Sequence, residues 1–429
     1  MAASKSTVRA GDLPTVSRVF DDRTLVELLY DADTRTTALA VAHPDGTISI
    51  EERFAAPTGE WLIPYSADNN LLTSGCVLLP STVGEEMDKG DLLAAIRCYL
   101  HRYVDLSPLF EEIAAHYVLM TWVYDAFSEL PYLRFSGAFG AGKTRCLLIL
   151  GSICYKPFFA SGASTVSPIF HILDAFQGTL ILDEADFRFS DATAELTKVL
   201  NNGNMRGLPV LRTMQNRHRE LNPTAFRVFG PKIIGMRGPF SDDALESRFI
   251  TETMERRPIR PEIPIHLPEA FRGEALDLRN RLLTYRLRHR WEVEVDPSRR
   301  VEGASSRLNQ TALALLNVVD DPDLRALIGD NLSDVARLAG SDRSPSLDGI
   351  MLKAVLETFA DGSGACAAVR DIADRFNAAT SSRFASGMTN KWVGGYLRTR
   401  FGLATTKTRG LYVVPATERD RVESLASRG

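Results

Sequence analysis

The spacing of apolar residues predicts strands at the start of the chain and helices after them. Up to residue 88, short apolar runs are separated by turn signals. Residues 37–42 and 47–50 flank the sequence His-Pro-Asp-Gly, which predicts a β-hairpin. From Lys89 to Tyr103 the apolar positions recur with helical spacing. A second helix is predicted from Leu109, with Pro131 as its end.

Beyond residue 131, apolar runs alternate with helices. Residues 132–136, 179–184 and 232–236 have the composition of buried strands, and an apolar helix is predicted for 144–154. Strands that alternate with helices imply a parallel sheet, so we predict an α/β core. A Pro-rich connector at 258–264 then leads into a helical region.

The end of the chain has the pattern of a compact module. Residues 341–346 are typical of a linker. Three helices are predicted after it, and then a hairpin; their ranges are 352–359, 369–376, 390–401 and 403–414. Three helices followed by a hairpin is the order of a winged helix.

The loop after the first core strand matches G-x-x-x-x-G-K-[ST] at every fixed position. Its residues are Gly137, Ala138, Phe139, Gly140, Ala141, Gly142, Lys143 and Thr144. Glycines let consecutive backbone N–H groups face phosphates, and the next helix adds its positive end. Lys143 would bind the β- and γ-phosphates, while Thr144 would ligate magnesium. We therefore expect ATP and Mg²⁺ here, with the neighbouring Arg145 also near the nucleotide.

A second motif follows about forty residues later, as a buried strand that ends in two carboxylates. Asp183 is expected at the carboxyl end of this strand, where ligands of open α/β sheets bind. It would hold Mg²⁺, and Glu184 would orient the attacking water. An acidic pair alone is often a solvated strand end; the glycine loop before it favours catalysis.

These motifs resemble those of AAA+ ATPases. The resemblance is to the helicase-like ATPases of phages, plasmids and integrative elements, some of which are similar to minichromosome-maintenance helicases. It covers about residues 89–319 and depends on motifs in order, at 137–144, 179–186, 200–203, 229–234 and 243–250.

The resemblance implies a domain order. It comprises an N-terminal mainly β domain (1–88), a helical collar (89–131), a P-loop core of parallel sheet flanked by helices (132–262), a helical lid (263–340) and a winged-helix domain (346–429). Arginines at 279, 281, 286, 288 and 290 alternate with leucines, which predicts the polar face of an amphipathic helix.

The resemblance also implies roles for three arginines. Arg248, in a Ser-Arg-Phe segment, is the candidate arginine finger that completes a neighbour's ATP site. The alternative is a structural arginine paired with Asp242 or Glu246. Arg307 stands at the sensor-2 position, with an exposed helix arginine as the alternative. Arg237 stands where the family has a small polar sensor-1 residue, so the chain departs from the pattern there.

Two basic segments are candidate DNA contacts. Residues 208–229 contain two strand-like runs around a tip with Arg217, His218 and Arg219, like the pore hairpin of ring helicases. The alternative is a solvated turn. Between residues 381 and 415 all charged side chains are basic. From these we expect DNA contacts by Lys391, Arg398, Arg400, Lys407 and Arg409.

Composition narrows the function classes. A net charge of −4 gives no global signature of nucleic-acid binding, so any such surface must be local. The five cysteines form no C-x-x-C pair, which argues against a zinc site or a disulfide framework and fits the cytoplasm. The most apolar stretch, at 113–127, is too short and too polar to span a bilayer, so no membrane partner is expected.

The two motifs predict an ATP-hydrolysing motor, and the resemblance implies a hexameric DNA helicase or translocase that acts on single-stranded or forked DNA in mobile-element replication. A separate primase is a possible partner. The alternative is an ATP-dependent initiator, loader or switch that binds DNA without unwinding it. A third class is a defence or signalling ATPase whose winged helix binds protein.

Overall fold

The computed structural model describes residues 11–426, apart from 162–163, 184–190, 216–220, 241, 255–258, 342–346, 362–365, 381–386 and 409. The chain divides into two compact units, residues 1–336 and 337–429. Within the described residues, no helix is long and apolar enough to cross a membrane.

The first unit begins with two small sheets. Their strands are β1 (Asp12–Thr15), β2 (Ser17–Val19), β3 (Leu25–Asp31), β4 (Thr36–Ala42), β5 (Ile48–Glu51), β6 (Phe54–Ala55) and β7 (Trp61–Pro64). One sheet has the order β2-β3-β4-β5 and the other β1-β7-β6. β4 and β5 pair antiparallel, which confirms the predicted hairpin. A short helix, α1 (Asn70–Thr73), follows.

Two helices connect these sheets to the core. They are α2 (Lys89–Tyr103), which Asp88 caps by accepting from the Gly90 N–H, and α3 (Pro108–Trp122). The prediction that α3 continues to Pro131 is wrong. The helix ends at Trp122 and a 3₁₀ turn, Tyr124–Ala126, follows, in which the Asp125 carboxylate accepts from Arg286 and Arg290.

The core contains a parallel sheet, as predicted. The elements are β8 (Tyr132–Ser136), α4 (Lys143–Ser152), β9 (Phe158–Ser161), α5 (Val166–Phe176), β10 (Leu180–Asp183), α6 (Asp191–Asn202), β11 (Val210–Gln215), β12 (Leu221–Phe226), β13 (Lys232–Met236), α7 (Asp243–Glu246) and β14 (Phe249–Thr253). The sheet has five strands in the order β14-β8-β13-β10-β9, of which β9 and β14 were not predicted. All four neighbouring pairs are parallel, so their carboxyl ends meet at one edge. β11 and β12 form a separate antiparallel hairpin.

Three helices follow in the chain: α8 (Ala270–His289), α9 (Ser306–Val318) and α10 (Pro322–Ser341). α8 is buried against α2 and α3. Two of the five arginines predicted to form the polar face of this amphipathic helix are instead buried. Arg279 donates to the carbonyls of Ser152 (2.6 Å) and Leu79 (3.3 Å), and Arg286 is 1% exposed.

A buried charge network surrounds Arg286. Its guanidinium contacts Glu27 at 2.7 Å and Asp125 at 2.8 Å, and Arg290 contacts the same Asp125 at 2.7 Å. Lys156 pairs with Glu27 at 2.7 Å. Because these residues come from β3, the turn after α3, the loop after α4, and α8, the network ties the sheet that contains β3 to the core.

The second unit contains the three predicted helices and the predicted hairpin. They are α11 (Leu347–Asp361), α12 (Val369–Thr380), α13 (Asn390–Phe401) and the strands β16 (Thr406–Thr408) and β17 (Leu411–Pro415). Two elements were not predicted, β15 (Cys366–Ala368), which pairs with β17, and α14 (Arg419–Ala426), which packs on α11. Val355, Phe376, Leu397 and Val414 lie in its core.

Candidate functional site

The glycine loop lies at the carboxyl edge of the sheet, directly after β8. Gly140 and Gly142 have φ angles of 80° and 91°, a region that side chains rarely adopt. At Gly137 a Cβ would lie 2.6 Å from the carbonyl oxygen of Met254. Gly140 and Gly142 are therefore required for their backbone conformation, and Gly137 because a side chain would not fit there.

Lys143 begins α4, and its side chain folds back over the loop. The ammonium donates to the carbonyls of Gly137 at 2.7 Å and Ala138 at 2.9 Å. The positive end of α4 and the Lys143 charge therefore face the same loop. Phe139, in the same loop, is 78% exposed.

Thr144 and Asp183 meet across the edge of the sheet. The Thr144 hydroxyl donates to Asp183 Oδ2 at 2.7 Å. Asp183 is the last residue of β10 and Thr144 the second residue of α4. Hydroxyl and carboxylate oxygens are hard donors of the kind that Mg²⁺ prefers. The predicted Glu184 lies outside the described residues.

Gly235, which the sequence reasoning missed, faces Asp183 from β13. A Cβ there would lie 3.1 Å from Asp183 Oδ1 and 2.9 Å from Leu147 Cδ1. An isolated glycine inside an apolar strand is a signal of close approach. Arg237 follows the same strand, is exposed, and accepts at its carbonyl from the Ser136 hydroxyl at 3.5 Å.

A cavity of about 420 Å³ opens beside the glycine loop. Residues within 103–110, from the end of α2 to the first turn of α3, form one wall, and residues 251–254, at the end of β14, form another. Cys146 lines it from α4, and burial raises the pKa of this thiol to about 12, so it stays protonated. Sequence reasoning missed these walls because they come from segments more than a hundred residues apart.

Hydrogen bonds fix both walls of the cavity. Glu252 accepts from the N–H of Ser107 at 2.8 Å and from its hydroxyl at 2.9 Å. Arg260 contacts Asp105 at 3.3 Å and donates to the carbonyl of Val104 at 3.0 Å. Arg145, predicted at the nucleotide, donates to the carbonyls of Pro264 (2.6 Å) and Ile265, and thereby holds the segment after β14.

Arg248 lies at the opposite edge of the sheet from the glycine loop. It immediately precedes β14, which is parallel to β8 with Phe249 opposite Tyr132. A strand of five residues is about 16 Å long, so Arg248 is far from the loop of its own chain. Its guanidinium donates to the amide oxygen of Asn201. Desolvation lowers the pKa of Arg248, and the nearby Arg307 adds to this effect.

The residues around Arg248 form further hydrogen bonds with one another. The Asn201 amide donates to Asp242 at 3.0 Å, while Glu246 pairs with Arg134 through two hydrogen bonds. Arg307, in the first turn of α9, donates to the carbonyl of Ala244 at 2.5 Å. Arg248 and Arg307 therefore share one face, which we call the arginine face.

The β11–β12 hairpin lies after α6, with Val210 opposite Phe226 and Gln215 opposite Leu221. Arg212 pairs with Glu195 at 2.8 Å, and Arg227 pairs with Asp174 at 2.9 Å. The predicted tip residues Arg217, His218 and Arg219 lie outside the described residues.

The second unit has a cavity of about 720 Å³ between α12, α13 and the β16–β17 hairpin. We call it the basic groove, because its lining includes Arg370, Lys391 and Arg398. Arg398 donates to the Thr405 hydroxyl at 2.9 Å.

Arg400 has a different environment, since it pairs with Asp348 of α11 at 2.9 Å. Lys407 is exposed on β16, and Arg409 lies outside the described residues. Of the predicted DNA contacts, Lys391 and Arg398 thus line the groove, together with Arg370, which was not predicted.

No protein-family model matches the chain, and no curated protein sequence matches it. Among solved structures, it is similar to the apo NrS-1 C-terminal region, with 11% identity, a TM-score of 0.39, and coverage of 91% of this chain and 96% of that one. It is also similar to the SCCmec type IV Cch helicase, with 12% identity, a TM-score of 0.39, and coverage of 96% of this chain and 95% of that one. For Aeropyrum pernix ORC1 in complex with DNA, the identity is 14%, the TM-score is 0.23, and the coverage is 76% of this chain and 94% of that one.

Proposed function

We propose that the protein is an ATP-hydrolysing motor that acts on DNA as an oligomer. The main support for this function is the 2.7 Å hydrogen bond from the Thr144 hydroxyl to the Asp183 carboxylate. It joins the start of α4 to the end of β10 at the carboxyl edge of a parallel sheet, directly beside a glycine loop. Open α/β sheets bind their ligands at this edge.

The loop residues would bind the triphosphate. Backbone N–H groups and the start of α4 favour an anion, and the Lys143 ammonium would exchange two loop carbonyls for phosphate oxygens. Thr144 and Asp183 would hold Mg²⁺, which neutralises phosphate charge when bound. Glu184, the next residue after Asp183, would orient and polarise the attacking water.

The 420 Å³ cavity is of the size that small-molecule sites have, and we propose that it holds the nucleoside. Its aromatic and aliphatic lining, from Tyr103, Phe110 and Ile263, offers faces for a base. Asp105 and Ser107 add polar groups that a base could contact. Arg145 would act indirectly, because it holds the chain segment that bounds this cavity.

The arginine face supports action between subunits. Arg248 is separated from the glycine loop of its own chain by the length of a strand, about 16 Å. It could therefore complete only the ATP site of a neighbouring subunit. We propose that Arg248 stabilises charge on the phosphoryl group there, with Arg307 beside it. This arrangement requires a homo-oligomer, and we propose a hexameric ring.

Two surfaces are proposed for DNA. The β11–β12 hairpin, with basic residues at its tip, would grip the backbone of a single or forked strand, which needs no sequence preference. The second unit would serve as a winged-helix domain, in which the basic groove and Lys407 contact phosphates. α8–α10 would serve as the helical lid of the core.

The decisive experiment separates nucleotide binding from hydrolysis between subunits. Lys143→Ala should lose nucleotide binding, whereas Glu184→Gln should bind ATP and hydrolyse it slowly. Arg248→Ala should bind ATP without hydrolysing it. Mixing Lys143→Ala with Arg248→Ala should restore part of the ATPase activity, since one intact interface can then form.

Two outcomes would contradict parts of the proposal. A mixture without any recovered activity would rule out action of Arg248 across a subunit border. The double variant Arg217→Ala/Arg219→Ala should keep basal hydrolysis and lose strand displacement; full hydrolysis with no unwinding by the wild-type protein would instead favour a DNA-binding switch.

A further inference from the structure

Lys232, the first residue of β13, is a fully buried cation that the proposed mechanism does not use. Its side chain has 0% exposure. The ammonium donates to the carbonyls of Val228 at 2.9 Å, Gly230 at 2.9 Å and Gly203 at 3.1 Å, and lies 4.9 Å from the centre of the Tyr132 ring. A lysine ammonium has three N–H donors, so these carbonyls satisfy all of them.

Burying the charged Lys232 ammonium costs desolvation free energy. Desolvation, together with the positive charge of Arg248, lowers the pKa of Lys232 to about 7. A neutral side chain of similar length would avoid that cost. The three carbonyl contacts therefore indicate that the Lys232 side chain holds two backbone segments together, one at residue 203 and one at 228–230.

The three carbonyls belong to the two roots of the β11–β12 hairpin. Gly203 follows α6 on the way into β11, while Val228 and Gly230 follow β12 on the way out. Gly203 is itself adapted to this contact, because a Cβ there would lie 2.3 Å from the Lys232 ammonium. Lys232 thus clamps the base of the hairpin from both sides.

β13 connects this clamp to the nucleotide edge. At the other end of the same strand, Gly235 lies against Asp183, and the carbonyl of Met236 accepts from the N–H of Gly137 in the glycine loop. The strand has five residues, so the phosphate loop and the hairpin root are about 16 Å apart along one rigid element.

The arginine face reaches the same clamp from the side. Arg248 donates to Asn201, which lies two residues before Gly203 at the end of α6. A change at either the chain's own nucleotide or a neighbour's nucleotide would therefore act on a segment that Lys232 holds.

We propose that Lys232 is a positioning residue that couples the nucleotide site to the β11–β12 hairpin, so that the hairpin moves with β13 and the end of α6. This inference rests on the proposed function, since it assumes that the site binds ATP. Lys232 touches neither substrate nor metal in this proposal and acts through the backbone segments that it holds.

The test is hydrogen exchange of residues 210–215 and 221–226 in the full chain, with and without Mg²⁺ and a non-hydrolysable ATP analogue. In the wild type, the analogue should change exchange in the hairpin about tenfold, a typical size for coupling between sites. Lys232→Met should bind the analogue as tightly as the wild type and lose this response. Lys156→Met is the matched control: it is equally buried, it lies in the Glu27 network, and it should keep the response.

A second variant covers loss of folding. Gly203→Ala keeps the lysine but places a methyl group 2.3 Å from its ammonium and 2.6 Å from the carbonyl oxygens of Val199 and Val228, so it should also abolish the response without changing analogue affinity. A wild-type response that survives in Lys232→Met would overturn the inference. So would unfolding of both variants while Lys156→Met folds, because the role would then be purely structural.

Nucleotide affinity, measured on the same samples, separates the two proposals. A wild type that binds the analogue but shows no change in the hairpin would refute this coupling and leave the proposed ATPase intact. A wild type that does not bind the analogue would refute both.

Discussion

A single methyl group at Gly235 tests whether β13 holds Asp183 in place for the metal. In Gly235→Ala the new Cβ would lie 2.9 Å from Leu147 Cδ1 and 3.1 Å from Asp183 Oδ1. Non-bonded atoms prefer separations of about 3.5 Å or more. Leu147 must therefore retreat by about 0.6 Å and the carboxylate by about 0.4 Å.

Both shifts carry a cost that can be worked out. Overpacking of a buried site destabilises by about 1–3 kcal/mol. The carboxylate would also move relative to the Thr144 hydroxyl, now 2.7 Å away. Since a misplacement of 1 Å can cost about a hundredfold in rate, a shift of half that size should lower the rate of ATP hydrolysis about tenfold.

The assay is ATP hydrolysis at increasing Mg²⁺, with nucleotide affinity measured separately without metal. Gly235→Ala should need more Mg²⁺ and hydrolyse more slowly, while metal-free nucleotide affinity stays unchanged. The matched control is Gly273→Ala in α8, where a Cβ meets nothing within 4 Å; it should be neutral or stabilising by up to about 1 kcal/mol. Wild-type Mg²⁺ dependence in Gly235→Ala would refute the reasoning.

Two further predictions concern the charge network and the second unit. Burial raises the pKa of Asp125, but the Arg286 and Arg290 guanidiniums outweigh it and hold the pKa at about 2. A carboxyl group with a lowered pKa stabilises the fold above about pH 4, and this stabilisation is lost as the pH falls toward 2. Asp125→Asn should therefore lower the free energy of unfolding by about 2 kcal/mol at pH 7 and by much less near pH 2. Equal denaturant unfolding curves for the two proteins at pH 7 would contradict this. Arg398→Ala should weaken DNA binding and reduce the slope of log affinity against log salt concentration by about one. Arg400→Ala should leave DNA affinity unchanged, because Arg400 already pairs with Asp348. Equal losses of affinity in both variants would contradict the assignment of the basic groove as a DNA contact.

The elements that were predicted correctly have local signals. The hairpin after β4, the parallel strands β8, β10 and β13, and the helices of the second unit each follow from apolar spacing and turn residues within about fifteen positions. The end of α3 was missed because its signal is not local. Asp125 leaves the helix to meet two arginines that come more than 150 residues later in the chain.

The glycine loop and the strand that ends at Asp183 were visible in the sequence by themselves, because the backbone turns and charges that a triphosphate needs allow few residue types. Tertiary structure alone decided which distant segments meet. It paired Thr144 with Asp183, put Arg248 and Arg307 on one face, buried Arg286, and brought three carbonyls to Lys232. The physical reason is that a short motif specifies its own conformation, whereas the cost of burying a charge is settled only by partners that folding brings from elsewhere.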